Sequence, residues 1–106
     1  MSQDWRRTRE YRIWRVGVIR RDKVCYVCGS NKKRQAHHID CGSYFPEKRF
    51  LLDNGVCLCS ACHTAYHTDF NRSFRVKTDR YNFNNFLEIV NYLKNLDFKD
   101  ISLLPK

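Results

Sequence analysis

The chain contains no run of about 18 or more apolar residues, so no segment of it qualifies as a membrane-spanning helix. Its first residues, MSQDWRRTRE, lack the apolar stretch of a secretory signal, and the expected compartment is the reducing cytoplasm. With no internal repeat, linker or low-complexity segment, 106 residues read as one domain. Acidic residues are scarce: 11 Asp and Glu stand against 20 Lys and Arg, a formal charge of +9. That imbalance favours a polyanionic partner. Nucleic acid comes ahead of an anionic membrane, because no basic amphipathic helix is paired with a lipidation signal. A core this small gives limited stability, which makes a structural metal a useful supplement.

What the chain does hold is concentrated. Its four histidines, His37, His38, His63 and His67, fall in one 31-residue window, with the CxxC pair Cys59/Cys62 inside it and the pair Cys25/Cys28 just upstream. Histidine both ligates transition metals and accepts a proton near neutral pH, while paired CxxC knuckles supply the four thiolates of a closed zinc site. In a reducing compartment, cysteines in this pattern read as ligands rather than disulfides. Cys62 and His63 are neighbours in a predicted helix and point about 100° apart, so they cannot comfortably serve one small tetrahedral site. Two centres follow. Cys25, Cys28, Cys59 and Cys62 form a structural zinc site, and His63 and His67, at i and i+4, share another helix face in a second site. His37 and His38 are adjacent on a predicted strand, where side chains alternate. One is expected to bind the second ion and the other to sit nearby as a general base, provided that a twist at the strand end turns both toward the site. Cys41 has no assigned role, and Cys57 reads as a small buried hydrophobe.

Residues 4–22 contain no proline and place Tyr11, Trp14 and Val18 at i, i+3 and i+7, with Ile13 and Val16 beside them. The pattern predicts an amphipathic basic helix over about Asp4 to Asp22, whose arginines, Arg12 and Arg15 among them, are expected to contact phosphates. Cys25 to Gly29 forms the first knuckle, with Gly29 free to take a positive φ. Lys32, Lys33 and Arg34 lie in a basic loop. Strands are expected over Gln35 to Asp40 and Val56 to Cys59, joined as a hairpin through turn residues that include Gly42, Pro46 and Asp53-Asn54-Gly55. A short helix from Ser60 to about Phe70 follows, with Ser60 as N-cap. The stretch Asn71 to Tyr81, carrying Arg72, Arg75 and Arg80, has no clear period. A last helix from about Asn82 to Asn95 presents Phe83, Phe86, Leu87, Val90 and Leu93 on one face, expected to pack against the first helix.

In chain order, Trp14, Val18, Arg21 and Asp22, then Cys25 and Cys28 with Gly29, then Ala36-His37-His38-Ile39, Tyr44, Pro46, Arg49, Phe50, Asn54-Gly55 and Leu58-Cys59-Ser60-Ala61-Cys62-His63 with His67 resemble the HNH, or ββα-metal, endonucleases over about residues 11–70. The order is similar to small phage-encoded members, free-standing homing enzymes included, which act in the bacterial host cytoplasm. The resemblance implies an α+β fold in which a ββα-metal core at about residues 23–70, stapled by zinc on the four cysteines, is flanked by the basic helix and the C-terminal helix. It also implies metal-dependent hydrolysis of phosphodiester bonds in double-stranded DNA, leaving 5′-phosphate and 3′-hydroxyl ends.

Carried over residue by residue, the resemblance makes His38 the general base, expected to make no essential contact to metal or scaffold. His37, His63 and His67 become ligands of one catalytic divalent ion, and Asn54 the residue that fixes the interstrand loop and so orients the base. Many relatives have Asp where this chain has His37. Imidazole suits Zn²⁺, Ni²⁺, Mn²⁺ or Co²⁺ more readily than Mg²⁺, so the choice among these five ions stays open. Arg12, Arg15, Lys32, Lys33, Arg34, Arg72 and Arg75 would track the DNA backbone; Arg49 would either reach a phosphate or hold the hairpin loop. A non-catalytic zinc-stabilised DNA-binding module explains the charge and the cysteines but leaves the histidines and Asn54 without a role. A thiol oxidoreductase predicts one reactive CxxC pair rather than two knuckles. Monomer and homodimer both remain open.

Overall fold

The computed structural model describes residues 4–72 and 76–95, and among these the chain is a small α+β unit with two strands and three α-helices. A 3₁₀ turn at Trp5–Arg7 precedes helix α1, Arg9–Asp22. The predicted first helix is therefore divided. Asp4 caps the 3₁₀ turn by accepting from the Arg6 amide, while the Thr8 hydroxyl accepts from the Tyr11 amide at 3.2 Å and starts α1 anew. Trp14 and Val18 are buried, whereas Ile13 and Val16 are exposed.

Strands β1, Arg34–His38, and β2, Gly55–Cys59, pair antiparallel with Ala36 opposite Cys57, His37 opposite Val56 and His38 opposite Gly55. Each lies within a residue or two of the predicted span. All five residues of β2 are buried, because both faces of the hairpin are covered. Helix α1 lies on one face, so closely that a Cβ on Gly55 would come within 2.4 Å of Val18 and 2.8 Å of Trp14. The outer edge of β2 is closed as well: the Asp22 carboxylate accepts from the Cys57 amide at 2.8 Å, Arg21 donates to the Gly55 carbonyl at 2.6 Å, and the Tyr26 amide donates to the Cys57 carbonyl at 2.8 Å. An edge strand so occupied offers no template for another chain.

Helix α2, Ser60–Thr64, begins directly after β2 and continues as a π-helical segment, Ala65–Arg72. Its N-cap is Cys59 rather than Ser60, with Sγ accepting from the Cys62 amide at 3.5 Å. The last helix, α3, spans Arg80–Asn95, two residues longer at its start than its sequence pattern suggests. Phe83, Phe86 and Val90 pack with Tyr66, Phe70, Val56 and Leu58, with Leu87 and Leu93 against the rim. The predicted packing of this stripe on the first helix is thus corrected. The hairpin stands between α1 and α3, and the aromatic rows of α3 and the π-helical segment meet each other instead.

Candidate metal centres and active site

Cys25, Cys28, Cys59 and Cys62 converge, with their sulfurs all within 4.8 Å of one another. The first pair comes from a tight turn in which the Gly29 amide donates to the Cys25 carbonyl at 2.9 Å, with Gly29 at φ +79°. The second pair comes from the β2–α2 junction, where the cap geometry of Cys59 turns its sulfur inward. Cys28 and Cys59 are 3.6 Å apart, close to the roughly 3.8 Å edge of a tetrahedron built on 2.3 Å zinc–sulfur bonds. The sulfurs share protons unevenly: the hydrogen bond from Cys62 draws the Cys25 thiol down to about 4, and the same contact pushes Cys62 up. A group of thiols this crowded suits a cation that replaces the protons. Cys57, fully buried, and Cys41 stand apart from this group.

His37, His63 and His67 form a second group, each offering one ring nitrogen within 4.8 Å of the others. Strand alternation sends His37 to the α2 face of the hairpin, where its ring lies 5.3 Å from that of His63 and 5.2 Å from that of His67. His63 and His67 themselves are 4.6 Å apart, so the i, i+4 relation survives the change to π geometry between them. His37 is 2% exposed, and its Nε2 is a buried polar atom with no hydrogen-bond partner among the described residues. Burial, then the neighbouring His67 and His63, holds His37 well below the usual histidine value; burial and His63 bring His67 down to about 4. Three neutral imidazoles with an unsatisfied nitrogen among them have the chemistry of a divalent transition-metal site. Both groups are positioned to hold metal ions.

His38 points to the other face. Its ring stacks on Trp14 with centroids 3.8 Å apart and planes 12° from parallel, and meets Trp5 edge-on at 5.2 Å. Its Nε2 lies 2.8 Å from the Arg49 carbonyl. A carbonyl can only accept, so Nε2 carries the proton and Nδ1 keeps its lone pair. Burial lowers the proton affinity of His38, partly opposed by this hydrogen bond. His38 is thus in contact with the scaffold, through the rings of Trp14, Trp5 and Tyr11 and a backbone carbonyl.

Asn54, 2% exposed, ties the interstrand loop to itself. Its Nδ2 donates to the Asp40 carbonyl at 2.9 Å and the Lys48 carbonyl at 3.2 Å, and its Oδ1 accepts from the Asp40 amide at 2.8 Å. Clamping Lys48 sets the adjacent Arg49 carbonyl, which in turn holds His38. Arg49 serves the same loop: Nε and a terminal nitrogen donate to the Gly42 carbonyl at 3.1 and 3.0 Å, and the guanidinium lies over Trp5. Of the two expected roles for Arg49, the geometry displays loop holding, through a carbonyl rather than a salt bridge.

The remaining cations divide by location. Arg15, Lys33 and Arg34 line one open cleft of about 620 Å³ together with Arg20 and Lys23, and among the described residues no acidic side chain is in its lining. Arg34 also donates to the Lys23 carbonyl at 2.8 Å. Arg12 and Lys32 are exposed outside this cleft, and exposed Arg72 is near enough to lower the proton affinity of His67. Arg75 lies outside the described residues. Two contributors escaped the sequence reading. Trp5 shares with Asp4 the signature of a capped turn, and Gln35 precedes His37 by two, the strand period that puts both on one face.

No protein-family model, curated protein or solved structure matches the chain. Fold and site therefore define its class: a small α+β domain with a four-cysteine and a three-histidine group, each positioned for a metal ion.

Proposed function

We propose that this protein is a metal-dependent endonuclease of the HNH, or ββα-metal, kind, hydrolysing phosphodiester bonds in double-stranded DNA. The observation that carries the reading is the setting of His38: its Nε2 proton is committed to the Arg49 carbonyl and its Nδ1 keeps the lone pair, at the end of β1 beside His37, whose side chain leaves on the opposite face, so that the scissile phosphate would straddle the strand end. Stacking on Trp14 fixes the ring plane, and Nδ1 accepts the proton of the attacking water. His37, His63 and His67 would hold one divalent ion, which supplies charge compensation at the scissile phosphate when bound. Zinc on the four cysteines would fasten the knuckle to the β2–α2 junction. The cleft that gathers Arg15, Arg20, Lys23, Lys33 and Arg34 supports a polyanionic substrate.

The test is incubation of purified protein with supercoiled plasmid across Mg²⁺, Mn²⁺, Co²⁺, Ni²⁺ and Zn²⁺, with brief EDTA treatment and a His38→Gln control. Metal-dependent conversion to nicked or linear DNA that His38→Gln lacks is the expected result. If no ion supports cleavage of any DNA form, the non-catalytic DNA-binding reading replaces this one.

A further inference from the structure

Gln35 and His37 are two residues apart on β1 and share the face that meets α2. The Gln35 side-chain oxygen is hydrogen-bonded to Nδ1 of His63. An oxygen at that position can only accept, so Nδ1 carries the proton and Nε2 is left with the lone pair. The reverse orientation of the amide would place its NH₂ against Nδ1 and force the proton onto Nε2. A protonated Nε2 cannot ligate an ion. With its oxygen toward the ring, the carboxamide favours the Nδ1–H tautomer of His63 and restrains the rotation of its ring.

We propose that Gln35 is the positioning residue of the three-histidine site, fixing His63 as the Nδ1–H tautomer so that Nε2 is presented to a divalent cation. This rests on the reading of that site as a metal site. Partners of this kind around metal-bound histidines change metal affinity by about 10- to 100-fold. Gln35 is exposed and water competes for the bond, so the lower part of that range, about 10-fold, is expected here.

The experiment uses full-length protein with zinc on its cysteines, as wild type, Gln35→Leu, Gln35→Glu and His63→Ala. Cobalt(II) is titrated in and followed by its d–d absorption, and the His63 tautomer is read separately from long-range ¹⁵N–¹H spectra before cobalt is added. Wild type should bind one cobalt at the histidine site with His63 protonated at Nδ1. Gln35→Leu should bind about 10-fold more weakly and shift His63 toward Nε2–H, Gln35→Glu should restore both, and His63→Ala should lose the binding. Equal cobalt affinity in Gln35→Leu, an Nε2–H His63 in wild type, or no recovery in Gln35→Glu overturns the assignment of Gln35 alone. Wild type that takes no cobalt while its tautomer still follows residue 35 overturns the metal reading, and the role of Gln35 toward a metal goes with it.

Discussion

His38 is held by aromatic packing and one carbonyl, and this decides which substitution tests it. Alanine would open space against Trp14 and orphan the Arg49 carbonyl, mixing a folding defect with a chemical one. Glutamine can keep a donor toward that carbonyl while removing the proton acceptor. His38→Gln should preserve the melting temperature to within a few degrees and both metal sites, while slowing single-turnover cleavage by about 10² to 10⁴. The base works only when neutral, and burial lowers its proton affinity. The wild-type rate should therefore rise with pH on a limb below the ordinary histidine value of about 6.5 and be flat above it, measured at saturating metal. At Asn54, replacement by Ala would strip partners from the Asp40 amide and the Asp40 and Lys48 carbonyls. A loss of about 1–3 kcal/mol in denaturant unfolding is expected for leaving such a buried group unsatisfied, with cleavage slowed and metal content unchanged.

Between elements, the decisive contacts are close approaches. Gly55 sits where α1 presses on β2, and its φ of −122° is open to any residue, so the constraint is space alone. Gly55→Ala should cost about 1–3 kcal/mol of stability through overpacking against Val18 and Trp14, read from the denaturation midpoint at constant m-value. Gly42 bears the same relation to the Trp5 ring, 2.4 Å from a would-be Cβ. The β2–α2 junction depends on Cys59 twice, as a sulfur of the four-cysteine group and as the cap of α2. Serine there keeps a capping oxygen but supplies a poor zinc ligand. Cys59→Ser and Cys28→Ser should both lose the single tightly held zinc by elemental analysis and unfold or aggregate. Normal melting of these variants without zinc would remove the staple from the argument.

For the whole molecule, charge and shape separate the working faces. The formal charge of +9 is spread over the chain, yet Arg15, Arg20, Lys23, Lys33 and Arg34 meet in one cleft formed by α1 and the loop before β1. DNA affinity should fall steeply with salt, because each neutralised phosphate releases counterions. Charge reversal at Arg15 and Lys33 together should flatten the plot of log affinity against log salt by about two units, roughly one per contact. Reversal of Arg12, outside the cleft, serves as the comparison. An unchanged slope in the double variant would place the DNA on another face.

The two metal-ligand groups were legible from local chemistry: CxxC spacing, the i, i+4 histidines and the 100° angle between Cys62 and His63 are short-range rules that hold in any fold. The strands, the knuckle turn at Gly29 and the aromatic stripe of α3 were legible for the same reason. Alternation along β1 separates His37 and His38 onto opposite faces, and the strand-end twist expected to turn both toward one site is not what the structure displays. What stands on either side of the hairpin depends on contacts between residues far apart in sequence, and no local pattern encodes them. Only the tertiary structure put Trp14 and Trp5 on His38, Asn54 behind Arg49, Gln35 on His63 and α3 against the π-helical segment rather than against α1. Side-chain periodicity fixes which residues share a face; the packing of whole elements decides what that face meets.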